Sequence, residues 1–406
     1  YTNFVAYKLK KMTRAIVHLD MNTFFVSCER ITNSQLEGIP LIIGGGDRGV
    51  VASCSYEARR VGVRSAMPIH MALKLCPQAK VMKGDMDLYS KYSHTITEII
   101  QEKAPVVEKA SIDEFYLDIT GMDKFYGSYK WTNELAQRIT KETGLPLTFA
   151  VSVNKTVSKI GTGEGKQKMN LEIPEHLVKP FLNPLSIQKI PMVGDVTFRL
   201  LSRIGIRTIQ TLSEMPTEVL QQMIGKNGIE IWKKANGIDN NPVEPYTERK
   251  SISTEHTFSQ DTIDLVKLKT ILIGMVEKLA FQLRSEQWLT STVVIKIRYA
   301  NFDTETKQCK IAYTSADHIL TKNVVALFDK LFQRRMRLRL IGIRFSGLVR
   351  GTYQINLFED TEEMVSLYAA MDKMKSRYGL DAVMRCAGAS FKPNTKDEIL
   401  KRNPKL

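Results

Sequence analysis

Apolar and polar positions along the chain fall into short blocks whose period changes from one region to the next. Residues 14–20 read as a largely apolar strand that ends on Asp20. Residues 23–85 alternate short strands with small helices, and 86–103 return to a long helical period. An apolar hairpin is expected over 105–120, then a helix over 131–143 begun near Thr132-Asn133-Glu134, a strand over 147–153 and a helix start at 155–160. From Phe181 to about Tyr246 the strand period is lost and short amphipathic segments follow one another. The stretch 238–250 is polar, carries two prolines and reads as an extended tether. Beyond it, strand 251–258, helix 262–285, strands 291–300 and 308–314, helix 319–335 and strand 338–349 predict a separate β-α-β-β-α-β domain of split ferredoxin-like order. Residues 359–390 read as helical.

In the strand expected at 291–300, alternation sets Val293, Ile295, Ile297 and Tyr299 on one face and Thr292, Val294, Lys296 and Arg298 on the other. Arg344 in the last strand extends the second face, beside the run Arg334-Arg335-Met336-Arg337-Leu338-Arg339. Between residues 247 and 350 the count is 18 basic against 10 acidic residues, enough for a nucleic-acid surface. The whole chain of 406 residues, with a formal charge of +15, favours a polyanionic partner and is long enough for two to four domains. Its five cysteines are dispersed with no C-x-x-C pair, so neither a disulfide framework nor a zinc site is expected, and a reducing cytoplasm fits best. No run of apolar residues is long enough to span a membrane. Residues 1–11, ahead of Met12, read as an extension outside the fold.

Two places break the apolar pattern with acids. Asp20 closes the first strand, and Asp113-Glu114 interrupts the hairpin within Ser111-Ile112-Asp113-Glu114-Phe115-Tyr116-Leu117-Asp118. Burying such acids is costly unless they hold a cation or pair with a base. Three carboxylates at adjacent strand ends meet the demand of Mg2+, an oxygen-ligated ion that also takes substrate phosphates. An isolated Asp-Glu is more often a solvated surface pair, and the apolar flanks weigh against that here.

Asp20-Met21-Asn22-Thr23-Phe24-Phe25 together with Ser111-Ile112-Asp113-Glu114 resembles the two acid motifs of the Y-family DNA polymerases, the DinB/UmuC type that copies damaged templates. Val50 to Arg59 resembles the family's fingers motif, and Asn154-Lys155-Thr156-Val157-Ser158-Lys159 its later lysine motif. The resemblance runs from about residue 14 to 390, with four motifs in order. It implies an α+β multidomain fold: a palm with a ferredoxin-like sheet (14–28 and 86–180), small fingers (29–85), an all-helical thumb with a helix-hairpin-helix (181–238), a linker (239–250) and a little finger (251–350). A clamp-binding peptide and helical tail would occupy 351–406, after an N-terminal extension at 1–13.

The resemblance also implies roles. Asp20, Asp113 and Glu114 would be catalytic and, with the Met21 carbonyl, hold two Mg2+ ions. Phe24, Phe25, Ser53, Tyr56, Arg59 and Lys159 would meet the incoming nucleotide. Tyr56 and Arg59, three apart, share a helix face, and the Arg fork suits phosphate oxygens. Phe25 matches the steric gate that excludes a ribose 2′-hydroxyl; because Phe24-Phe25 lies in an apolar segment, one of the pair is expected in the core. Gly205 and Arg207, in the Ile-Gly-Ile turn, would contact DNA in the thumb, as Lys296, Arg298 and Arg344 would in the little finger. Gln354, Leu357 and Phe358 resemble the peptide that seats in a sliding clamp. Primer-template DNA, deoxynucleoside triphosphates and the clamp are the implied partners of a monomer, and a need for accessory damage-response subunits stays open. The function expected is error-prone translesion DNA synthesis within DNA repair. The alternatives are a catalytically silent DNA-binding accessory subunit and a palm-type nucleotide cyclase.

Overall fold

The computed structural model describes residues 14–46, 48–122, 127–166, 169–245, 248–351 and 362–388, in two compact units, Tyr1–Thr247 and Glu248–Leu406. Strands of the first unit are β1 (Ile16–Met21), β2 (Leu41–Gly44), β3 (Val51–Cys54), β4 (Lys80–Met82), β5 (Val106–Lys109), β6 (Glu114–Asp118), β7 (Leu147–Ser152) and β8 (Leu171–Ile173). Five form one sheet in the order β5-β6-β1-β7-β8, so β1 is central and antiparallel to both neighbours. Every residue of β1 is buried, as a strand covered on both faces must be.

The two faces differ in chemistry. Val17, Leu19 and Met21, with Phe115 and Leu117 of β6 and Phe149 and Val151 of β7, face an apolar core. Among its helices are α1 (Phe24–Thr32), α3 (Met86–Gln101) and α4 (Ser128–Thr143); α2 (Tyr56–Arg60) lies outside it. The opposite face carries His18 and Asp20 of β1 and their cross-strand partners Tyr116 and Glu114. It is covered by α5 (Lys155–Gly165), whose N-cap Asn154 accepts from the Val157 N–H. Gly161 allows that cover: a Cβ there would lie 2.7 Å from Ile173 Cδ1 and 2.9 Å from Ala150 Cβ.

β3, β2 and β4 make a separate three-stranded sheet in the segment expected as fingers, with its own small core around Ile42, Val51, Cys54 and Ala72. Short helices follow, including α6 (Asp195–Arg203) and α7 (Ile209–Ser213), packed around Leu201, Ile206, Ile209 and Leu212. The stretch read as a tether from 238 is in fact fastened to the start of α5 and to β5 as far as Glu244. Asn154 Nδ2 donates to the Gly237 carbonyl, the Thr156 hydroxyl to Asp239, Lys155 Nζ to the Pro242 carbonyl, and the Glu244 N–H to Glu108. Val243 is buried beside Ile16 and Tyr116, which explains how a polar, proline-bearing segment stays ordered there.

The second unit has β9 (Ser251–Thr262), α8 (Leu265–Ser285), β10 (Trp288–Tyr299), β11 (Thr304–Thr314), α9 (Asp317–Leu331), β12 (Leu338–Arg350) and α10 (Glu362–Tyr378). Its sheet runs β11-β10-β12-β9 with every neighbouring pair antiparallel. Each β-α-β is thereby split, with β12 between β9 and β10, and β10 between β11 and β12. Val293, Ile295, Ile297 and Tyr299 are fully buried against α8 and α9. Lys296 and Arg298 lie on the other face.

Candidate active site

Register assembles the site. In the β1/β6 ladder Asp20 stands directly opposite Glu114. Asp113 sits on the turn before β6, and its carbonyl accepts from the Met21 N–H at 3.0 Å, which ties the turn to the end of β1. Ser111 shapes that turn: its hydroxyl accepts from the Glu114 N–H at 3.0 Å and donates to Asp113 Oδ1 at 2.6 Å. Three carboxylates from two segments almost a hundred residues apart thus gather at one end of the sheet.

The electrostatics are organised by α5. Lys155 bonds both oxygens of Glu108 at 2.7 Å, Lys159 meets Glu114 at 2.5 Å, and Lys166, just past the helix end, meets Asp20 at 2.8 Å. Spacings of four and seven residues align these lysines along one side of the helix, above the acids of three strands. Burial pushes the Asp20 carboxyl up to about 6, with the charges of Glu114 and Asp113 adding to the rise and Lys166 opposing it. For Glu114 burial acts in the same upward sense, but the Lys159 ammonium outweighs it and holds the group below the usual carboxylate range. His18, two residues before Asp20, is 1% exposed, and neither ring nitrogen has a hydrogen-bond partner. Burial, aided by Lys159, pushes it down to about 3, so it is neutral.

Among the described residues no three His, Cys, Asp or Glu side chains are grouped closely enough to be a metal centre as they stand. The donor set nonetheless fits hard divalent cations: Asp20, Asp113 and Glu114 offer only oxygen, and two of the three already hold an ammonium as counter-charge.

The residues expected at the nucleotide divide by burial. Phe24 is 3% exposed and belongs to the core. Phe25 is only partly buried and stacks on Tyr89 with ring centroids 4.3 Å apart. Tyr89 is fixed in turn by a 2.6 Å hydrogen bond from its hydroxyl to Glu29. Ser53 is buried in β3. Tyr56 and Arg59 lie on α2, started by the Ser55 cap, with the Arg59 guanidinium 5.5 Å from the Tyr56 ring centroid. Arg59 Nε donates to the Cys54 carbonyl, whereas the Tyr56 hydroxyl is buried without a partner. Arg30 of α1 donates to Glu57 at 3.1 Å and so links α2 to the helix that follows the Asp20 strand.

Gly205 takes a left-handed φ of +86° in the turn between α6 and α7, with open space around its Cα. The N–H groups of Ile204, Gly205 and Ile206 all donate back to the end of α6, which leaves exposed Arg207 as the polar side chain there. In the second unit Lys296 bonds Glu255 at 2.8 Å, Arg298 donates to Thr304, and Arg344 is exposed. Gln354, Leu357 and Phe358 lie outside the described residues.

Lys166 and His18 were not singled out from the sequence. The signal for Lys166 was present, seven residues beyond Lys159 on a helical period. For His18 there was none beyond a polar residue inside an apolar run.

Residues 19–163 match the impB/mucB/samB family and residues 249–357 match that family's C-terminal domain. The chain belongs to the impB/mucB/samB family. Relatives in the family include the DNA polymerase IV of Dehalococcoides mccartyi, 34% identical over 375 residues that cover 91% of this chain and 96% of that protein. The DNA polymerase IV of Halorhodospira halophila is 34% identical over 349 residues, covering 85% and 98%. Among solved structures, a Y-family DNA polymerase chimera of Dbh and Dpo4 overlays with a TM-score of 0.73 at 26% identity, over 83% of this chain and all of the other. An insertion ternary complex of Dbh DNA polymerase overlays with a TM-score of 0.62 at 25% identity and the same coverage. The family expected from the motifs is therefore the family found, with its palm, fingers, thumb and little finger.

Proposed function

We propose that this protein is a DNA-directed DNA polymerase that extends a primer 3′-hydroxyl on a template, acts error-prone in translesion synthesis, and uses two Mg2+ ions. The observation that carries the reading is the pairing of Asp20 with Glu114 across β1 and β6, with Asp113 on the Ser111 turn beside them. Asp20 and Asp113 would hold both ions, Glu114 the one on the primer side, and the Met21 carbonyl would complete the nucleotide-side ion. Bound there, Mg2+ supplies charge compensation for the phosphoryl group and lowers the cost of ionising the 3′-hydroxyl.

The chain's own residues do the rest. Lys159 and Lys166 set positive charge beside the acids, where a triphosphate meets them. Tyr56, Arg59 and Ser53 grip phosphate oxygens; the buried, unpartnered Tyr56 hydroxyl supports a ligand at that place. Phe25, braced by Tyr89, fills the volume that a ribose 2′-hydroxyl needs. Lys296, Arg298 and Arg344 lie along the primer-template backbone, Arg207 contacts it in the thumb, and Gln354, Leu357 and Phe358 seat in a sliding clamp. The palm takes 14–28 and 86–180, the fingers 29–85, the thumb 181–238, the linker 239–250 and the little finger 251–350. No helix among the described residues is long and apolar enough to cross a membrane; a cytoplasmic site of action is part of the proposal. The accessory-subunit reading is not favoured, because all three acids are present at one end of the sheet and two of them, Asp20 and Glu114, carry a lysine counter-charge.

Extension of a labelled primer on undamaged and abasic templates, with Mg2+ and four deoxynucleotides, tests the reading. Extension past the abasic site is expected. Tight primer-template binding with no extension on either template would contradict it.

A further inference from the structure

The tip of the β10–β11 hairpin in the second unit carries a side chain that the fold does not use. Phe302 is 62% exposed and belongs to no buried cluster. Its backbone is left-handed at φ +71°, a conformation that a turn ordinarily gives to glycine or asparagine and that is strained for a bulky residue. The surroundings over-determine it. The Phe302 N–H donates to the Tyr299 carbonyl at 3.0 Å, and the Ala300 N–H reaches across to the Arg337 carbonyl at 2.9 Å. Asn301 and Asp303 bond each other on either side.

One cation lies over the ring. The Arg339 guanidinium lies 4.6 Å from its centroid, and Arg335 and Arg337, in the same run as Arg339, are exposed. Arg334 is already spent on Asp303 at 3.3 Å and Glu305 at 3.0 Å. Across the loop Arg298 points along the open face of the sheet that also bears Lys296. An exposed aromatic ring backed by an arginine suits a ligand that joins a flat π-face to negative charge, and a base with its phosphate is such a ligand. Bases inside a duplex are stacked on each other, so only an unpaired one can meet the ring.

We infer that Phe302, backed by Arg339, is a stacking platform for an unpaired base of single-stranded DNA, the template overhang. The inference rests on the polymerase reading for the identity of that strand. Stacking of this kind is tolerant of sequence, because every base has a π-face.

The test compares the full-length protein with Phe302→Ala, Phe302→Leu and Phe302→Trp by fluorescence anisotropy on three ligands. These are a primer-template with a long 5′ overhang, the same molecule with an overhang wholly of abasic sites, and a blunt duplex. Wild type is expected to prefer the base-bearing overhang to the abasic one by roughly fivefold or more, Phe302→Trp to keep that preference, and Phe302→Ala and Phe302→Leu to lose it. Affinity for the blunt duplex should not change. Equal preference in wild type and Phe302→Ala, or an equal loss on all three ligands, would overturn the inference. Extension of a recessed primer with a short overhang keeps the two readings apart. If wild type binds DNA but does not extend, the polymerase reading fails, while the base preference still decides the role of Phe302.

Discussion

Lys166 Nζ lies 2.8 Å from Asp20 Oδ2, so the most buried acid of the site is countered by a lysine just beyond the end of the helix that covers it. The pair matters in two ways: it offsets part of the cost of burying Asp20, and under the proposed function it stations a positive charge where a triphosphate would arrive. Replacing Lys166 with Ala should lower kcat/KM for the incoming deoxynucleotide by roughly 10- to 100-fold, the value of one charge-assisted hydrogen bond. Lys166→Arg should recover part of the loss. Steady-state single-nucleotide insertion measures both, and an unchanged kcat/KM in Lys166→Ala would remove the lysine from the site.

His18 makes stability depend on pH in a way that can be separated from the acids. Its folded-state value of about 3 lies below the ordinary 6.5. Between those values the unfolded chain binds the extra proton, so stability falls as pH falls, by up to about 1.4 kcal/mol per pH unit. Asp20 works in the opposite sense between its ordinary 3.8 and about 6, because there the folded state holds the extra proton. The difference between His18→Leu and wild type isolates the histidine. Guanidinium unfolding at pH 7 and pH 5 should show wild type losing stability relative to the variant at the lower pH; parallel behaviour would contradict the buried neutral imidazole.

Two neighbouring phenylalanines should fail differently. Phe24→Ala empties a packed core position and should cost about 3–5 kcal/mol of stability. Phe25→Ala removes a partly buried ring stacked on Tyr89 and should cost less stability than Phe24→Ala while raising ribonucleotide insertion relative to deoxynucleotide insertion. Competition between the two nucleotide types at one template position gives the ratio. No change in the ratio for Phe25→Ala would place the gate elsewhere.

The Tyr56 hydroxyl is buried and unpartnered, so Tyr56→Phe removes a group that the protein alone does not satisfy. Its thermal midpoint should stay the same or rise, while KM for the nucleotide should increase roughly fivefold, as for one lost hydrogen bond of about 1 kcal/mol. Lower stability with an unchanged KM would mean that the hydroxyl serves the fold.

Much of this was legible in the chain. The alternation in Trp288–Tyr299 put Val293, Ile295, Ile297 and Tyr299 inside, because strand period alone decides which face meets the helices. Asp20 and Asp113-Glu114 stood out because acids inside apolar runs demand a partner. What could not be read was the partner itself. Lys166 reaches Asp20 only through the packing of α5 on the sheet, at the close approach that Gly161 permits. The fastening of Gly237–Glu244 to Asn154, Lys155, Thr156 and Glu108 likewise depends on tertiary contacts, and polar, proline-bearing composition there resembles a free linker.

Under the proposed function Asp20, Asp113 and Glu114 together hold the ions of a polymerase site. Single-turnover insertion of one deoxynucleotide across a Mg2+ titration, in wild type and in Asp113→Ala matched for primer-template affinity, tests it most directly. Saturable Mg2+-dependent insertion is expected in wild type and a loss of at least about a thousandfold in the variant, from removal of charge compensation at the reacting phosphate. Insertion by Asp113→Ala at the wild-type rate and with the wild-type Mg2+ dependence would contradict it.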